Sequence, residues 1–155
     1  MRELTQNNVL KATASDASDI AALEKICFSC PYNKEAVANM LSSSINPAFI
    51  LRDSNGSLLG YLLGQMIVPE GDLLRIAVHP NARRRGVGRL IIEAFLGYLR
   101  ENNCSVCFLD VREHNAPAQA LYTSYGFSPF DRRKSYYHLP TEDAIVMRLS
   151  LDENK

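Results

Sequence analysis

The chain has no excess charge of either sign: 17 lysines and arginines are matched by 17 aspartates and glutamates over 155 residues. General binders of nucleic acid or of a membrane surface carry a basic excess, so neither partner is expected. No apolar run approaches the roughly 18 residues needed to span a bilayer. The opening MRELTQNNVL lacks the apolar core of a secretory signal. A cytoplasmic protein with reduced thiols is the expectation. Repeats, low-complexity tracts and Pro/Gly-rich linkers are also missing, so residues 1–155 read as one domain, able to bury about 70% of its unfolded surface. The four cysteines form two C-x-x-C pairs, Cys27/Cys30 and Cys104/Cys107. The second pair lies in what reads as a buried strand, where positions three apart face opposite ways. The gap between the pairs exceeds that of compact zinc modules, and no metal is expected.

What is present alternates between helical and extended patterns. VLKA begins a short strand, and a helix capped at Ser15 or Asp16 follows, with Ile20, Leu23 and Ile26–Cys27 on one face. CPYN breaks it before a second short helix in KEAVANMLSS. AFILRD and LLGYLLGQMIV flank SNGS as a hairpin, Asn55-Gly56 being suited to the turn. DLLRIAV is a strand, VGRLIIEAFLGYLRENN an amphipathic helix and SVCFLDV a buried strand. APAQALYTSYGF is a helix with Asn115 as a possible cap and Gly126 as its stop, and one or two strands close the chain at DAIVMRLSL. The order β-α-α-β-β-β-α-β-α-β-β makes the class α/β, a mixed sheet covered by helices.

Between the DLLRIAV strand and the long helix lies HPNARRRGVGR. Glycines let backbone approach a ligand, a helix start offers unpaired N–H groups, and Arg83, Arg84, Arg85 and Arg89 add charge-assisted donors. That combination suits a pyrophosphate, although arginine-rich loops are also common as plain solvated surface. Two familiar phosphate loops do not fit. G-x-x-x-x-G-K-[ST] is absent. Gly86-Val87-Gly88 is followed by Ile91 where a dinucleotide fingerprint needs glycine, and seven residues separate it from the strand.

The stretch Arg83-Arg84-Arg85-Gly86-Val87-Gly88 resembles the [RQ]-x-x-G-x-[GA] loop of the GCN5-related N-acetyltransferases (GNAT). FLDVREHNAPAQALYTSYGF resembles that superfamily's next segment, and RRKSYYHLPTEDAIVMRL is similar to its RimI branch, which acetylates ribosomal-protein alanine. The resemblance is strong from about Asp72 to Leu149. It implies a mixed, mostly antiparallel central sheet flanked by helices on both faces. It also implies acetyl-CoA as cosubstrate and, as acceptor, a peptide or protein N-terminus, most of all the N-terminal alanine of a small-subunit ribosomal protein.

Roles follow from the same resemblance. Ile76, Ala77 and Val78 would pair through their backbone with the pantetheine arm, and Arg83, Arg84, Arg85, Gly86, Val87, Gly88 and Arg89 would hold the pyrophosphate. Asn115 matches the asparagine that contacts the cofactor, yet its position equally suits a helix cap with Pro117 just inside. Tyr122 matches the tyrosine proposed to protonate departing CoA, and reads otherwise as a core aromatic. Asp110 stands where RimI relatives carry glutamate, at the end of the apolar row Val106–Phe108. Burial there would make it a stronger base, whereas pairing with Arg112 would make it structural. Glu113, His114 and His79 are reserve bases that read better as solvated loop residues. Tyr136 and Tyr137 resemble tyrosines lining the peptide slot, and the turn from Cys27 to Asn33 should form the facing wall. Three alternatives stay open: an acetyltransferase for small-molecule or lysine amines, a non-catalytic acetyl-CoA-binding domain, and a nucleic-acid binder.

Overall fold

In the computed structural model, residues 4–152 are described. The elements follow the order read from the sequence: β1 (Val9–Lys11), α1 (Ala17–Cys27), α2 (Lys34–Leu41), β2 (Ala48–Arg52), β3 (Leu58–Ile67), β4 (Glu70–Val78), α3 (Val87–Glu101), β5 (Val106–Arg112), α4 (Ala116–Ser124), β6 (Ser128–Tyr137) and β7 (Glu142–Ser150). The strands form one sheet in the order β1-β2-β3-β4-β5-β7-β6, antiparallel except at β4–β5. That parallel pair needs a long crossover, which α3 supplies.

The period of two along β2 and β3 divides the core between the sheet's faces. Phe49, Leu51 and Leu62 pack with α3 residues Ile91, Ile92, Phe95 and Leu99, and Tyr122 of α4 belongs to the same cluster. Ile50, Tyr61 and Leu63 face the other way, toward Ile20 and Leu23 of α1 and Val37 of α2. Helices therefore cover both faces, as expected. Gly60 lets α3 sit close to β3: a Cβ there would lie 2.9 Å from both the Ala77 carbonyl oxygen and Val87 Cγ1.

Two irregularities shape the middle of the sheet. Leu63 pairs with Arg75 but Gly64 with Leu73, so Leu74 is an extra residue that bends β4. β4 and β5 then part company. Their pairing runs from Glu70↔Val106 to Leu73↔Leu109 and stops, although β4 continues along β3 to Val78 and β5 along β7 to Arg112. Each strand stays held by its outer neighbour while the space between them opens. Among the described residues, no helix is long and apolar enough to cross a membrane.

Candidate active site

A groove of about 750 Å³ occupies the opening between β4 and β5. Its walls come from both faces of the sheet, with Tyr122 and Asn115 on one side and Phe28, Arg75 and Tyr137 on the other. A second cavity of about 300 Å³ adjoins it, lined by Asp72, Phe108, Phe130 and Arg133. The two share Leu73, Leu74, Asp110 and Tyr136. Asp110 thus stands at the junction.

Many of the expected site residues converge on this groove: Ile76, Ala77, Val78, Arg83, Gly88, Asp110, Asn115, Tyr122, Tyr136 and Tyr137 all line it. The loop is more divided than its sequence suggests. Gly86 adopts φ 78° as the residue preceding α3, a left-handed conformation that favours glycine. Val87 turns its side chain into the core, which leaves only its backbone for a ligand. Arg83 folds back, its Nε donating to the Val78 carbonyl at 3.3 Å. Arg89 lies over the Tyr125 ring. Arg84 and Arg85 are exposed, beyond the groove lining. At the helix start the first N–H groups have no intrahelical acceptor.

Asp110 departs from both expectations. It is not deeply buried, with 28% of its side chain exposed, and its partner is Arg133 on β6 at 3.2 Å rather than Arg112. Arg112 instead pairs with Glu142 at 3.2 Å and donates to the His138 and Pro140 carbonyls. The pairing expected within β5 is replaced by contacts to the β6–β7 hairpin, which no local spacing announces. Nearby Asp72 is held above the usual carboxylate range by burial and by the charges of Glu70 and Asp110.

Tyr122 is buried, with its ring edge-on to Phe127, and burial pushes its hydroxyl up to about 12. It is both a core aromatic and a groove residue. Asn115 Oδ1 accepts from the Ala118 N–H at 3.2 Å, so it caps α4 and also faces the groove. Glu113 pairs with Arg132, His114 with Glu142, and His79 Nδ1 accepts the Asn81 N–H. Among the described residues, neither cavity is lined by any of these three. Of the cysteines, Cys104 and Cys107 are buried, whereas Cys27 and Cys30 line the groove.

The sequence reading missed Glu24, Arg75 and Arg133. Glu24 is fully buried and bonded to Arg75 at 2.8 Å. A signal did exist: Glu24 lies four residues after Ile20 and three before Cys27, on the apolar face of α1. Arg75 likewise interrupts an apolar strand. Two opposite charges, each out of pattern, are candidates for one another.

Comparison with known proteins agrees with this architecture. The family model described as "Acetyltransferase (GNAT) family" matches residues 17–127. The ribosomal protein bS18-alanine N-acetyltransferase of Escherichia coli (strain K12) is 38% identical over 101 residues, 63% of this chain and 67% of that one. The crystal structure of the Escherichia coli ribosomal-protein-S18-alanine N-acetyltransferase superposes with a TM-score of 0.86 at 29% identity, over 95% of this chain and 97% of that one. Arabidopsis thaliana NAA60 in complex with acetyl-CoA shares the fold, with a TM-score of 0.84 at 17% identity over 95% and 98% of the two chains. The parted strands, the arginine-glycine helix start and the match over residues 17–127 lead to one conclusion: this chain belongs to the GNAT family of acetyltransferases and is an N-acetyltransferase.

Proposed function

We propose that this chain transfers acetyl from acetyl-CoA to the α-amine at a protein N-terminus, with the N-terminal alanine of ribosomal protein bS18 as the foremost acceptor. What carries the proposal is the parting of β4 from β5 beyond Leu73. It leaves the β5-facing edge of β4 along Ile76, Ala77 and Val78 without a strand partner, so the groups that alternate residues turn to that edge can pair with the amides of a pantetheine arm as an added strand would, the Val78 carbonyl being shared with Arg83 Nε. The residues beyond that edge fit the rest of the donor. The backbone of Gly86, Val87, Gly88 and Arg89 presents the positive end of α3, and Arg83, Arg84 and Arg85 add guanidinium donors for a pyrophosphate. A Cβ at Gly88 would meet only Val78 Cγ2, at 3.7 Å, so the approach there is open. Among the described residues Asn115 Nδ2 has no acceptor, so it can donate to a ligand while Oδ1 caps the helix.

Acetyl-CoA supplies the acetyl group in activated form, as a thioester. This chain's residues then have three tasks. Asp110, at the junction of the cavities, accepts the proton of the incoming amine, directly or through one water. Tyr122 keeps its proton on the hydroxyl and gives it to the departing sulfur. Backbone donors along β4 polarise the carbonyl. Tyr136 and Tyr137 face the acceptor. An α-amine of pKa near 7.8 is roughly a tenth neutral at pH 7, but a lysine near 10.4 only a few parts in ten thousand. The first needs about 1 kcal/mol to be deprotonated, the second nearly 5. A single carboxylate working directly or through one water suits the smaller task. The same proposal takes residues 1–155 as one catalytic domain and assigns it to the cytoplasm, where ribosomal proteins are made.

The test is acetyl-CoA turnover on peptides that differ only in their first two residues. Acetylation of the α-amine, strongest with the bS18 N-terminal sequence, is expected. Modification of polyamines or lysine side chains with no α-acetylation overturns the acceptor class.

A further inference from the structure

The acceptor side of the groove is walled by residues 28–33, which belong to neither α1 nor α2. A turn without a hydrogen-bond ladder of its own takes its position from whatever ties it down. Here the tie is internal. The Glu24 carboxylate, shielded from solvent, accepts from the Tyr61 hydroxyl, from the Tyr32 N–H at 2.9 Å and from Arg75 Nη2 at 2.8 Å. Arg75 Nη2 also donates to the Cys30 carbonyl at 2.9 Å, and the guanidinium carbon lies 3.9 Å from the Phe28 ring centre and 4.3 Å from that of Tyr32. Arg75 stands directly after the extra residue Leu74 in β4. One side chain thus grips the turn at Phe28, Cys30 and Tyr32 and fixes it to the strand that flanks the groove.

A buried ion pair is poor evidence of stability, because desolvation offsets most of the attraction and a packed apolar pair does as well. What the pair supplies is geometry. Phe28 and Cys30 line the groove and Tyr32 lines the smaller cavity, so the width of the acceptor slot follows from where Arg75 holds them. We propose that Glu24 and Arg75 are positioning residues for the acceptor: they set the distance of the 28–33 turn from β4 and act on peptide recognition without contacting the acyl donor. The inference rests on the peptide-acetylation proposal and deepens it.

Two variants separate geometry from charge. Arg75→Lys keeps the cation but loses the fork that reaches Glu24 and Cys30 together. The double variant Glu24→Gln with Arg75→Met removes both charges, so that no lone buried carboxylate blocks folding. Each is compared with the parent by peptide kinetics, by calorimetry with coenzyme A and by NMR amide exchange. In both variants the peptide KM should rise about tenfold or more, with kcat within about threefold and coenzyme A affinity within about twofold. Exchange of the Tyr32 amide should quicken about tenfold or more while that of Ile92 in α3 stays as it was. An unchanged peptide KM in both variants, or coenzyme A affinity lost in step with it, overturns the inference. Should the parent acetylate no peptide, the acceptor proposal fails by itself. Tyr32 exchange then decides the inference: selective quickening upholds it, and none overturns it.

Discussion

At the scale of single residues, Tyr122 and Asp110 divide the proton traffic of the proposed reaction, and their surroundings differ accordingly. Burial keeps the Tyr122 hydroxyl protonated up to about 12, so it remains a donor throughout any ordinary assay range and cannot cause an alkaline fall in rate. Tyr122→Phe is expected to lower kcat about 10²-fold, with coenzyme A affinity by calorimetry and the shape of the pH profile both retained. A changed alkaline limb would contradict that assignment. Asp110 was legible as a strand-end carboxylate, but its partner was not, since Arg133 lies 23 positions away on another strand. Sequence periodicity reports which face a side chain takes and is silent on which distant residue arrives beside it. For the same reason Asn115 could be recognised as a cap or a contact, while only the geometry shows that one amide can serve as both.

At the scale of elements, α3 is the best-determined piece. Its apolar spacing and the glycine-rich turn before it were visible beforehand, the left-handed conformation of Gly86 was not, and its closeness to β3 depends on Gly60. Gly60→Ala would push a methyl onto the Ala77 carbonyl, which as backbone cannot swing aside. A cost of about 1–3 kcal/mol is expected, read as a fall in Tm of about 2–4 °C per kcal/mol. The β6–β7 hairpin is the opposite case. β6 is almost wholly exposed and shows no inside–outside alternation, so only its pairing with β7 makes it a strand. Its far end is clasped by Glu142. The His114 backbone N–H, followed by Arg112 and the His114 ring, holds that carboxyl below its usual 4.5 despite some desolvation. A depressed carboxyl contributes stability above its unfolded pKa and loses it as pH falls through the folded one. The difference in Tm between parent and Glu142→Gln should therefore be fully present above the ordinary glutamate range and shrink as pH falls through that range and below it. A gap that persists undiminished in acid would mean that the clasp does not depend on an ionised carboxylate.

At the scale of the whole molecule, the site exists because one pair of strands stops pairing halfway. Element order and class were readable from pattern alone, but the point where β4 leaves β5 was not: periodicity does not report where two strands stop pairing, and only the family resemblance gave Ile76, Ala77 and Val78 a ligand to pair with. A ligand that bridges both strands and the start of α3 binds only the folded chain. Coenzyme A at about 100 times its Kd should then raise stability by about 2.7 kcal/mol. Arg85→Glu, which reverses an exposed charge on the loop, should abolish most of that rise in thermal scans while leaving the ligand-free Tm unchanged. A parent whose Tm ignores coenzyme A would leave the opening without its proposed occupant. The opening also has walls on both faces of the sheet and adjoins the smaller cavity at Asp110. A space bounded on both faces of the sheet can seat the proposed donor and acceptor side by side, so the acetyl group can pass between them without first being parked on a side chain of the protein.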